Sequence, residues 1–240
     1  MKIKNTEYND IYLLAKDMYL DSDYFAKELR KDELMSFIKS QDEKKYEKIQ
    51  HLSLLSLPDD VFVFKASYIL NPFMSLRIKG FKFDNYEDLG KAMLAYSPNP
   101  NPTLTLLLRH ALISSHMKTI YYHQGNRKDY EKVKEFERLS LNDLPLAYYS
   151  LGYYLSKKTT IIYNGKEYKD LFDLTYFLCK EVPDLDTLGT YFSTSPLLKA
   201  YIDYSKIGDK IETYLHLCAT LDESDKALET FLDKKKSKGV

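Results

Sequence analysis

Apolar side chains in this chain fall first at two-residue steps and then at steps of three and four, and this change of period occurs three times. It is clearest in RIKGFKFDNYEDLGKAM at 77–93, returns in YNGKEYKDLFDLTYFL at 163–178, and opens the chain in IKNTEYNDIYLLAKDM at 3–18. With Ile3, Ile78 and Tyr163 in register, Asn5, Gly80 and Gly165 coincide, then Tyr8, Phe83 and Tyr168, then Ile11, Tyr86 and Leu171. Leu14, Leu89 and Leu174 follow, and Met18, Met93 and Leu178 close the block, at offsets of 75 and 85 residues. An apolar residue, a turn residue two positions on and an aromatic three beyond that predict a miniature β-hairpin. Asn164-Gly165 is the pair that favours a type I′ turn, which needs φ > 0. The apolar steps that follow predict a helix with one buried face. Asp84, Asn85 and Asp170 precede it, where side-chain oxygens can cap free amides.

The correspondence runs on. Leu29, Leu34, Met35 and Ile38 match Phe192, Leu197, Leu198 and Tyr201, with Leu107, Leu112, Ile113 and His116 at the middle places. YEKIQHLSLLSL from Tyr46 aligns with YEKVKEFERLSL from Tyr130, and FKASYIL at 64–70 with YSLGYYL at 149–155. The expected fold is therefore mainly α: about three tandem units of roughly 80 residues, each a short β-hairpin followed by three or four helices, stacked in series. The units span 1–75, 76–158 and 159–233, with a flexible basic tail at 234–240. NPF at 71–73 and SKKTT at 156–160 mark the joints, and SPNPNPT at 97–103 is expected to be a stiff, extended connection. No hairpin follows the third unit, so its last helix should carry one more polar face.

Composition narrows the functional classes. The 35 basic and 35 acidic residues cancel, which weighs against a nucleic-acid-binding protein, whose affinity rests on neutralising phosphates. No apolar run reaches the length of a membrane span, and no signal segment is read at the start. Lysine outnumbers arginine and tyrosine reaches 22, which is read as the codon bias of an AT-rich bacterial or phage genome. Cys179 and Cys218 sit in apolar company and suit a reducing, cytoplasmic setting.

Candidate chemistry is sparse. Eight glycines form no phosphate-cradling cluster, and no Cys/His spacing suits zinc, so neither cofactor nor metal is expected. Pairs such as Asp59-Asp60 read as solvated loop acids. RHALISSHMKTIYYHQGNRKDY at 109–130 concentrates Arg109, His110, His116 and His123, with Ser114 and Ser115 between and no carboxylate before Asp129. Arg109 and Arg127 could hold an anion there. His116, however, fills the apolar slot held by Ile38 and Tyr201, and a leucine at a core slot should leave stability unchanged or raise it. The pattern implies a non-catalytic helical repeat that binds or scaffolds a protein partner, in one version a regulatory or defence-related adaptor. A small enzyme with its site around His110 and His116, or a nucleic-acid-binding protein, are the alternatives.

Overall fold

The computed structural model describes residues 1–121, 127–181 and 185–237. Three antiparallel hairpins punctuate a mainly helical chain: β1 (Lys2–Ile3) with β2 (Thr6–Glu7), β3 (Leu76–Ile78) with β4 (Phe81–Phe83), and β5 (Ile161–Tyr163) with β6 (Lys166–Tyr168). Each turn uses the left-handed backbone: Lys4 has φ +51°, Lys79 and Gly80 have +33° and +79°, and Asn164 and Gly165 have +48° and +78°. Strands of two or three residues have no independent stability. Each hairpin is instead pinned by an aromatic at its end, Tyr8, Phe83 or Tyr168, all buried.

Five helices follow the first hairpin: α1 (Ile11–Asp17), α2 (Ser22–Glu28), α3 (Asp32–Gln41), α4 (Glu43–Ser53) and α5 (Asp59–Leu70). Five follow the second: α6 (Tyr86–Tyr96), α7 (Pro102–Arg109), α8 (Leu112–Tyr121), α9 (Arg127–Leu139) and α10 (Leu144–Ser156). The third is followed by α11 (Leu171–Glu181), α12 (Leu185–Thr194), α13 (Pro196–Ser205) and the 27-residue α14 (Ile211–Ser237). The expectation of three or four helices per hairpin was thus low for the first two stretches. Short helices begin at local caps that periodicity does not register, such as Asp21 accepting from Tyr24 N and Asp42 accepting from Lys45 N.

The helix after each hairpin starts the same way. Asp10 accepts from Leu13 N, Asn85 from Asp88 N and Asp170 from Asp173 N, each at 2.8–3.0 Å. The expected extended stretch at 97–103 is shorter than predicted: Pro102 is the first residue of α7, and Asn101 caps it through Thr103 N and Leu104 N. Proline at that place loses no hydrogen bond, because the first amides of a helix have no intrahelical acceptor. Asp59 and Asp60 form the first turn of α5 rather than a loop, and they pair with Arg30 and Lys79.

Two helices organise the interior. Eight of the twelve residues of α5 and nine of the thirteen of α10 are buried, so both are apolar all round and lie between other elements. Tyr148, Leu151 and Leu155 of α10 join the core built with the first two hairpins, while Leu146 and Tyr153 join the core around Ile161, Leu174 and Leu198. α6 crosses α10 at very short range. A Cβ on Gly90 would lie 2.4 Å from Ser156 N and 2.8 Å from Leu155 Cβ, and one on Gly152 would lie 2.7 Å from Leu94 Cγ. These close approaches run α6 and α10 antiparallel. α14 differs: Phe172 stacks edge-on against Tyr214, and both Tyr176 and Lys180 reach Asp225, so α14 runs in the same direction as α11.

Candidate functional site

His116 lies on α8, where it meets Tyr68 of α5, Met74 ahead of β3 and Tyr86 of α6. It is buried, and both ring nitrogens are engaged: Nε2 lies 3.0 Å from Met74 O and Nδ1 2.7 Å from Tyr86 Oη. A carbonyl can only accept, so Nε2 carries the proton and Nδ1 accepts from the Tyr86 hydroxyl. Burial pushes the pKa of His116 down, which keeps the ring neutral. Tyr68 of α5 meets the ring edge-on at 4.7 Å, and its own hydroxyl donates to Ser75 O and accepts from Arg77 N.

A chemically different tie joins α10 to the third hairpin. Tyr201 of α13 is buried, its hydroxyl donates to Thr159 O at 2.7 Å, and its ring meets Tyr153 edge-on at 5.3 Å. Tyr68 and Tyr153, Met74 and Thr159, and His116 and Tyr201 are each 85 residues apart.

Beside each tie lies a groove. The first, of about 260 Å³, is lined from α4 by Leu52, from α5 by Lys65 and Ile69 and from α8 by Ser115, His116 and Thr119. The second, of about 750 Å³, is lined from α9 by Phe136, from α10 by Ser150 and Tyr154 and from α13 by Ala200 and Tyr204. Tyr154 and Tyr204 also line a third cavity of about 440 Å³ that reaches Tyr86 and Met117, so the second and third openings share a wall. The rim of the second groove mixes Lys132, Glu135, Arg138, Asp203 and Lys206.

The residues singled out in the sequence are dispersed. Ser115 and His116 share the first groove, but they are adjacent in the chain, and His116 contacts Tyr86 and a carbonyl rather than a carboxylate. Arg109 is exposed at the end of α7 and His110 half-buried behind it. His123 lies outside the described residues, as do the side chains of Arg127 and Cys218, while Cys179 is half-buried and in no disulfide among the described residues. Among the described residues no group of His, Cys, Asp or Glu side chains gathers to hold a metal, and no helix is long and apolar enough to cross a membrane.

Ser114 faces elsewhere, toward a group the sequence reading missed. α8 begins after Ala111, at φ +51°, with no capping side chain of its own. Glu137 of α9 supplies the cap: its Oε1 accepts from Ile113 N at 3.0 Å and Ser114 N at 2.9 Å, while Oε2 is buried without a partner. Desolvation outweighs the two amides and nearby Lys134, and raises the Glu137 pKa to about 7. The signal was present in the spacing, because Val133, Glu137 and Ser140 fall on one helical face and all are buried.

The folded state therefore holds the Glu137 proton more tightly than the unfolded chain does. Its contribution is most favourable below the unfolded pKa and is lost as pH rises through 7, at a cost of about 3 kcal/mol. Tm should fall between pH 5 and 8 in the wild type, and Glu137→Gln, which keeps one acceptor and removes the charge, should flatten that slope. Thermal melts across this range check it. Comparison with family models, curated proteins and solved structures found no match.

Proposed function

We propose that the chain is built from three copies of one hairpin-and-helices unit and serves as a non-catalytic body that binds a protein partner along its grooves. The observation that carries this reading is the recurrence of the groove. Leu52, Lys65, Ile69, Ser115 and Thr119 stand 84 or 85 residues before Phe136, Ser150, Tyr154, Ala200 and Tyr204, and each set lines an opening beside a tied joint. The three hairpin turns and their three helix caps share the 75- and 85-residue offsets. Units that cannot bury both faces alone gain stability from neighbours, and series of such units present extended surfaces to partners. A regulatory or defence-related adaptor of a bacterium or phage is one specific version of this reading, a housekeeping adaptor another.

A photoreactive amino acid placed at Ser115 or Glu135, both exposed groove positions, tests the reading against one at Lys91, which lines neither groove. The same polypeptide should be cross-linked from Ser115 and from Glu135 and not from Lys91. Adducts to nucleic acid, or equal labelling at all three positions, would overturn it.

A further inference from the structure

The second groove combines fixed aromatic walls with an idle hydroxyl. Leu146, Ser150 and Tyr154 stand at four-residue steps on α10, Ala200 and Tyr204 at the same step on α13, and Phe136 faces them from α9. The rings are held from outside. Tyr154 donates to Asp129 Oδ1 at 2.6 Å and meets Phe136 edge-on at 5.7 Å, while Tyr204 stacks on Tyr153 at 5.9 Å. Ser150 is only 8 % exposed, yet its hydroxyl makes no hydrogen bond among the described residues. Ser67, Ser97 and Ser140, also buried, each donate to the carbonyl three residues back. Nor is the Ser150 oxygen sealed in without a partner, as Asp60 Oδ1 and Glu137 Oε2 are, so it opens onto the groove that it lines. A largely buried hydroxyl left unpaired carries a cost that an incoming polar atom would remove. In the first groove the equivalent place, 85 residues earlier, holds Lys65, and the opening shrinks from about 750 to about 260 Å³.

We propose that the groove between α9, α10 and α13 binds a small, uncharged, hydroxylated aromatic molecule whose polar group hydrogen-bonds Ser150 Oγ. Its volume, and a mainly apolar lining with few polar groups, match the sites that hold small ligands. A ring suits walls made of Phe136, Tyr154 and Tyr204, because aromatic rings gain from offset and edge-on contact beyond the area they bury. A serine hydroxyl both donates and accepts, so it can serve a phenolic oxygen in either sense. The ligand is neutral because no charge waits for it beside Ser150. Lys132 is bonded to Glu135 at 2.8 Å and lies 4.9 Å over the Phe136 ring, and Arg138, Asp203 and Lys206 are exposed, with both signs present. This inference goes beyond the protein-binding reading and does not depend on it.

Equilibrium dialysis of the full chain against 2-naphthol and against naphthalene, which lacks the hydroxyl, tests the proposal. The wild type should bind one 2-naphthol per chain, about fivefold more tightly than naphthalene, the worth of one neutral hydrogen bond. Ser150→Ala should abolish that preference by weakening 2-naphthol alone, with Tm near wild type because the serine bonds nothing in the fold. Ser150→Lys, which copies the first groove, should weaken both compounds by about tenfold or more. Equal affinity of the wild type for the two compounds, a preference that survives in Ser150→Ala, or no saturable binding of either would sink the idea. Cross-linking of a polypeptide from Ser115 and Glu135 is scored separately, so either reading can fail while the other stands.

Discussion

Gly90→Ala should destabilise the protein by about 2–3 kcal/mol, a fall in Tm of roughly 5–10 °C for a chain of this size. Substituting alanine for glycine inside a helix ordinarily gains about 1 kcal/mol in backbone entropy. Here the new methyl would meet a backbone nitrogen, Ser156 N, at 2.4 Å, and a backbone atom at a helix crossing has no rotamer by which to retreat. α6 and α10 would have to separate, and the buried residues of both helices would lose packing together. Gly152→Ala should cost less, because its nearest obstacles are Leu94 Cγ and Cδ2, atoms of a side chain that can rotate. Chemical denaturation of both variants checks the order, and an unchanged midpoint for Gly90→Ala would show that the crossing is looser than described. The corresponding places after the other hairpins hold Ala15 and Thr175, both buried, so the tolerance for a Cβ differs among the three.

His116→Leu should cost about 2 kcal/mol, because it takes from buried Met74 O its imidazole donor and breaks the hydrogen bond to the Tyr86 hydroxyl. This reverses the expectation drawn from the apolar slot, where leucine looked neutral or better. The slot is indeed buried, but its walls are polar: a carbonyl at one end and a phenol at the other. The second joint suggests the repair. There Tyr201 bonds Thr159 O directly, and Leu171 stands where Tyr86 stands in the middle stretch. His116→Tyr alone should clash with Tyr86, whereas His116→Tyr with Tyr86→Leu should recover most of the stability. The two substitutions should therefore couple by at least about 1 kcal/mol in a double-mutant cycle. Additive effects would mean that the two joints are not built alike.

What was legible followed from local physics. The hairpins were readable because Gly80 and Asn164-Gly165 are residues that accept positive φ, and because Tyr8, Phe83 and Tyr168 mark the strand ends. First helices were readable because one face is buried and an Asp or Asn sits at the cap. α5 and α10 were less so, since a helix buried on every side has no polar stripe to give it a period. The partners of His116 lay beyond reach, as Tyr86 is 30 residues away and Met74 is 42. Glu137 was visible in principle as an acid in an apolar stripe, but only the coordinates show that it caps a different helix.

α14 outruns the helix it lies beside. α10 doubles back along α6, whereas α14 continues unbroken in the direction of α11. At 1.5 Å per residue its 27 residues extend about 40 Å, against about 16 Å for the 11 residues of α11. More than half of its length therefore finds no counterpart in α11 to lean on.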